Sequence, residues 1–176
     1  MDKINNNNKK VIFDPVYYTD VVEQTEMVFT HAQDIFPKID FKWAIVNYMK
    51  SQWRKNIEKG RPHEISEWGD MVLLILFKDK NYPKTDLIAD DWWRRTSWMA
   101  EIYNRLSYKY DILFSELADV VTFDYMMWRF VCGHEESSEH VVDSIYEQFY
   151  NKDGSINYDM VEKTNKKSDW WKDGDQ

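Results

Sequence analysis

Apolar residues recur along most of this chain every three or four positions, the period of a helix with one buried face. Asp14-Pro15 is a capping acceptor followed by a ring that the first helical turn tolerates. Val21, Val28, Ala32 and Ile35 follow at helical spacing, and Pro37 marks a stop. A second helix is predicted over residues 40–59, with Phe41, Ala44, Ile45, Tyr48 and Met49 inward and Gly60, Arg61 and Pro62 ending it. A third, over residues 63–77, contains the longest apolar run, 71–77, and reads as buried on most sides. Glu64, Ile65 and Trp68 at helical spacing favour helix over strand there. After a polar turn with Pro83, Thr85 or Asp86 caps a fourth helix whose inner face is Ile88, Trp92, Met99, Ile102 and Leu106. A fifth spans 111–132 and stops at Gly133, the favoured residue just past a helix end. The sixth, 138–150, turns Val141, Ile145 and Phe149 inward.

The pattern therefore predicts an all-α bundle of about six helices over residues 15–150. Residues 1–14 read as a flexible arm, because the Asn-rich stretch before Lys9 and Lys10 has nothing to bury. Residues 151–176 read as a polar tail, anchored by Ile156, Tyr158, Val161 and the Trp170-Trp171 pair. One segment repeats: Ser66-Glu67-Trp68-Gly69-Asp70 recurs as Ser115-Glu116-Leu117-Ala118-Asp119, with Trp43 and Met49 echoed by Trp93 and Met99. The likeness fits two related helical hairpins, and it fits chance similarity between amphipathic helices equally well.

Composition narrows the classes. Nine Trp, eleven Tyr and nine Phe make aromatic rings the main source of buried area, and five Gly and four Pro are too few for a turn-rich β-fold. A net charge of −8 argues against a general nucleic-acid binder, which needs a concentrated basic surface. The lone Cys132 excludes an intramolecular disulfide and a thiolate metal cluster. The polar start is unlike a secretory signal, and the longest apolar run is far too short for a membrane span, so a cytoplasmic protein is expected.

Four carboxylates invite a metal-site reading. Glu67 with Asp70, and Glu116 with Asp119, are three apart, which on a helix places each pair on one face. Such pairs can hold Mg²⁺ for phosphate chemistry. The stretch from Ser115 to Val121 resembles the Glu-x-x-Asp helix of the all-α nucleoside triphosphate pyrophosphohydrolases. That resemblance implies Mg²⁺-dependent hydrolysis, with a Glu-x-x-Glu pair on the preceding helix completing the site. The chain departs there, offering Glu101 and then Asn104, while Glu23 and Glu26 lie much further upstream. Arg129 and His134, separated by four residues, resemble the Arg-x4–6-His signature of HEPN ribonucleases, which implies RNA cleavage across a dimer interface.

Other clusters read as structure. Glu135, Glu136 and Glu139 around His134 and His140 stand where a helix start attracts acids. Asn151-Lys152-Asp153-Gly154 looks like part of a calcium loop, but Phe149 and Met160 occupy its acidic end positions, so a turn is expected. Trp92 and Trp93 are about 100° apart on a helix, so at least one ring faces a boundary or the surface. Exposed Trp is a mark of interfaces.

The leading expectation is a non-catalytic interaction or assembly protein, with Trp92, Trp93, Trp170 and Trp171 as partner contacts, no cofactor and no metal. Its partner is another protein or further copies of itself. The Asn- and Lys-rich usage suggests a bacteriophage virion component or host-interacting accessory factor. The rivals are the Mg²⁺-dependent hydrolase, on Glu67, Asp70, Glu116 and Asp119, and the ribonuclease, on Arg129 and His134.

Overall fold

Local capping chemistry sets most of the helix boundaries. A computed structural model describes residues 8–166 of the chain, among which all regular structure is helical. Ten α-helices run α1 (Tyr18–Ile35), α2 (Phe41–Lys50), α3 (Gln52–Glu58), α4 (Pro62–Ser66), α5 (Gly69–Phe77), α6 (Trp93–Tyr110), α7 (Phe114–Val120), α8 (Phe123–Gly133), α9 (Ser138–Phe149) and α10 (Tyr158–Asn165). Asp14 caps a short 3₁₀ turn leading into α1, Asp40 accepts from the Trp43 amide, and Ser137 from the His140 amide.

Three of the six expected helices are broken in two, each at an extended residue. Ser51 ends α2 and starts α3, its hydroxyl accepting from the Arg54 amide. Thr122 does the same for α8 through the Tyr125 amide. Glu67 and Trp68 are both extended and separate α4 from α5. Hydroxyl residues compete for backbone donors and so make such breaks cheap, even where apolar spacing runs straight through. The fourth helix starts later than Thr85, whose hydroxyl closes a local turn at Leu87, and Ile88 stands exposed rather than inward.

Helix α1 lies at the centre, packed on α5, α6, α2 and α4; α7 lies on α2, α8 and α9 on α6, and α10 against α9 and α8. The main core joins Phe29, Tyr48, Met49, Tyr103, Phe114 and Phe149, all essentially inaccessible. The polar ends of its rings are met: the Tyr103 hydroxyl donates to the Val121 carbonyl. Burial pushes that hydroxyl well above the usual tyrosine range.

A second, smaller core gathers Val11, Phe13, Val21, Ile57 and Ile65. It revises the expected N-terminal arm: Val11 and Phe13 are buried, and the Ile12 amide donates to the Glu58 carbonyl at 2.8 Å. Arg54 is also wholly buried, its guanidinium stacked 3.4 Å from the Phe114 ring centre. At the other end, Asn151 and Ser155 close the expected turn, with Gly154 at φ 81° and Asp153 accepting from the Ser155 amide.

Candidate functional site

The four carboxylates of the hydrolase reading take separate partners. Glu67 and Asp70 do not share a helix face, because the chain is extended at Glu67 and helical only from Gly69. Glu67 accepts from the Trp68 amide, and Asp70 meets His31 Nδ1 at 2.8 Å. Glu116 and Asp119 do lie together on α7, yet Glu116 is approached by Tyr150 and Lys10, and Asp119 by Lys50. Tyr150 is raised far above its usual range by burial and by Glu116. Among the described residues, no group of three or more His, Cys, Asp or Glu is placed to hold a metal ion. The two Ser-Glu-x-x-Asp stretches also differ in conformation, one broken and one continuous.

Arg129 and His134 likewise take different partners. Both terminal nitrogens of Arg129 donate to Glu136, at 2.9 and 3.2 Å, which holds the Glu136 carboxyl below its ordinary range. His134 stacks on Phe130 and bonds the Phe130 carbonyl through Nδ1. A forked ion pair of this kind ties α8 to the approach to α9 and leaves Arg129 engaged by protein.

The tryptophans separate by role. Trp92 is half-buried, with the Arg95 guanidinium 4.9 Å from its ring centre; Arg95 also donates to the Met127 carbonyl, joining α6 to α8. Trp93, the first residue of α6, is 54% exposed. Trp170 and Trp171 lie outside the described residues.

The most exposed tryptophan among the described residues stands at the break between α4 and α5. Trp68 is 68% exposed, and its position follows from the α4–α5 break. Gly69 sits so close to α1 that an added Cβ would lie 2.3 Å from Met27 Cβ and 2.8 Å from the Gln24 carbonyl oxygen. Buried Gln24 donates to the Glu64 and Glu67 carbonyls, at 2.7 and 2.8 Å, satisfying the backbone that the break releases. Trp53 Nε1 donates to the Gln24 side-chain oxygen Oε1 in turn, and the His31–Asp70 contact holds the first turn of α5 to α1.

Helix α5 then buries Val72, Leu73 and Phe77 while leaving Met71 (46%) and Ile75 (52%) exposed beside Trp68. This corrects the expectation that the apolar run is buried on most sides. Beside this face, between α1 and the α4–α5 break, runs an open groove of about 510 Å³. Asp20, Glu23, Glu26 and Glu67 line it with Met27 and Trp68, and no lysine or arginine does so among the described residues. Glu26 accepts from Ser97 of α6 at 2.6 Å; none of the four carboxylates has a basic partner within ion-pair distance among the described residues. Gly69 is a sequence signal for this geometry, since a glycine inside an apolar helical pattern costs helix stability and points to a packing constraint. Comparison with family models, curated proteins and solved structures finds no match to this chain.

Proposed function

We propose that this chain is a non-catalytic partner-binding or assembly protein. One observation carries the reading: from Met71 to Phe77 α5 is apolar on every face, yet Met71 and Ile75, with Trp68 just before the helix, are left uncovered. A helix apolar all round is ordinarily enclosed, so an uncovered side calls for a second surface to complete it. Trp93 supplies a further exposed aromatic on α6. A bacteriophage virion or a host-interacting accessory role is the setting that the composition suggests.

The test compares the full chain with a Met71→Asp/Ile75→Asp variant by affinity capture from its native context and by light scattering. The expected outcome is a stoichiometric complex or defined oligomer with the native chain and its loss in the variant, with helical content unchanged. A native chain that stays monomeric and captures nothing in stoichiometric amount would overturn the reading, as would a variant that assembles normally.

A further inference from the structure

We propose that the occupant of the α5 face is a basic amphipathic helix of a partner protein, its apolar side on Trp68, Met71 and Ile75 and its Lys or Arg residues over the neighbouring carboxylate groove. The proposal rests on the partner-binding reading above and names the chemistry of the partner.

Spacing argues for a helix as the occupant. Met71 and Ile75 stand at i and i+4 on one side of α5, and exposed Trp68 precedes them at its N-cap, so the apolar side extends about 10 Å along the chain. An apolar face of that length is what an amphipathic helix covers with its own i, i+3, i+4 and i+7 anchors. Break and apolar side are held rigidly, by the Gln24 bonds to Glu64 and Glu67 and by the His31–Asp70 contact, so little order has to be imposed on binding.

Charge argues for a basic one. The groove adjoins Trp68 and is walled by Asp20, Glu23, Glu26 and Glu67, none with a basic partner within ion-pair distance among the described residues. A lysine or arginine entering it gains these carboxylates and the face of the Trp68 ring together. A second copy of this chain using the same face would press the same four carboxylates against their own counterparts, and nucleic acid or an anionic membrane would be repelled in the same way.

The probe is a peptide of about 18 residues made of Leu and Lys, with Leu at i, i+3, i+4 and i+7, titrated into the full chain. Two controls accompany it: the same composition in scrambled order, and the patterned peptide with Glu in place of Lys. The patterned basic peptide is expected to bind at least about tenfold more tightly than the scrambled one, and the acidic one not at all. Trp68→Ala and Ile75→Asp should each weaken binding by about 30-fold or more, the effect of a well-packed anchor. Glu23→Gln/Glu26→Gln should weaken it and flatten its salt dependence, whereas Val131→Ala, on the exposed side of α8, should leave it unchanged. Equal binding of patterned and scrambled peptides, or indifference to Ile75→Asp, would overturn the proposal by showing charge alone. Binding of the acidic peptide as well as the basic one would remove the basic partner while leaving α5 as a docking face. No peptide binding, together with a dimer that Ile75→Asp dissociates, would give the face to a second copy and overturn this proposal but not the partner-binding reading.

Discussion

Replacing Arg54 by methionine removes half of an ion pair that water does not reach. Both side chains are about 1% exposed, with Arg54 Nε 3.5 Å from Glu58 Oε1. Arg54 also donates to the Thr25 hydroxyl at 3.2 Å and stacks on Phe114, while Glu58 Oε1 accepts from the Phe114 amide at 2.8 Å and so caps α7 from a distance. Arg54 Nη2 and Glu58 Oε2 have no hydrogen-bond partner among the described residues. Methionine fills the stem's volume but leaves Glu58 without its cation, and breaking a buried pair from one side costs about 3–5 kcal/mol. Adding Glu58→Gln keeps an acceptor for Phe114 and removes the stranded charge, so the double variant should cost only about 1–2 kcal/mol.

Burial, opposed mainly by Arg54, raises the Glu58 carboxyl above its ordinary value near 4.5. A raised carboxyl contributes stability fully below that ordinary value and loses it as pH climbs through the folded value. The Arg54→Met penalty should therefore grow with pH. Urea unfolding followed by circular dichroism, at neutral pH and about two units lower, measures both effects. Single substitutions that simply add, or an Arg54→Met cost under about 1 kcal/mol, would refute the view that the two charges depend on each other.

Gly69→Ala should destabilise the protein by about 1–3 kcal/mol, because the new methyl meets Met27 Cβ and the Gln24 carbonyl with no room to yield; thermal melting checks this. Hydrogen bonds from Arg129 to Glu136 and from Lys109 to Asp143 hold both carboxyls below their ordinary values near 4.5 and 3.8. Their stabilising contribution is present above those values and is lost as pH falls through the folded ones, so a Glu136→Gln variant should show a shallower fall of melting temperature on the acid side. Glu116→Gln removes a partly exposed contact with Lys10 and should shift stability by less than about 1 kcal/mol; a screen of nucleoside triphosphates with Mg²⁺ should detect no turnover in either form.

Capping residues made much of the fold legible. Asp14, Asp40 and Ser137 cap where their positions before apolar runs say they should, because a cap is a contact between neighbours in sequence. The breaks at Ser51 and Thr122 were hidden, since apolar spacing continues across both and either residue also sits acceptably inside a helix. The exposed side of α5 was half visible. An unbroken apolar run predicts burial, but which side of α5 meets α1 depends on Gln24 and Met27, some forty residues earlier. The exposure of Trp68 consequently did not show in the periodicity, and the acidic groove beside it could not be read from acids scattered over Asp20 to Glu67. Val11 and Phe13 were likewise obscured, because a polar stretch precedes them and their pocket is assembled from distant parts of the chain.

The clasp at Asp111 has a consequence for the order of events during synthesis. This residue ends α6 in the left-handed conformation, φ 58°, which aspartate tolerates better than most side chains. Its carboxylate accepts from the Lys10 and Val11 amides, a closure spanning about a hundred residues. At ribosomal rates of about 5–20 residues per second, Val11 and Phe13 wait roughly 5–20 s for that partner to be made. Such a distant closure also carries a large entropic toll and forms slowly. The clasp on Lys10 and Val11 is therefore among the last contacts to form. A nascent chain halted before Asp111 already holds Val21, Ile57 and Ile65 for Val11 and Phe13 to pack on, but lacks the clasp that fixes the Lys10 and Val11 backbone.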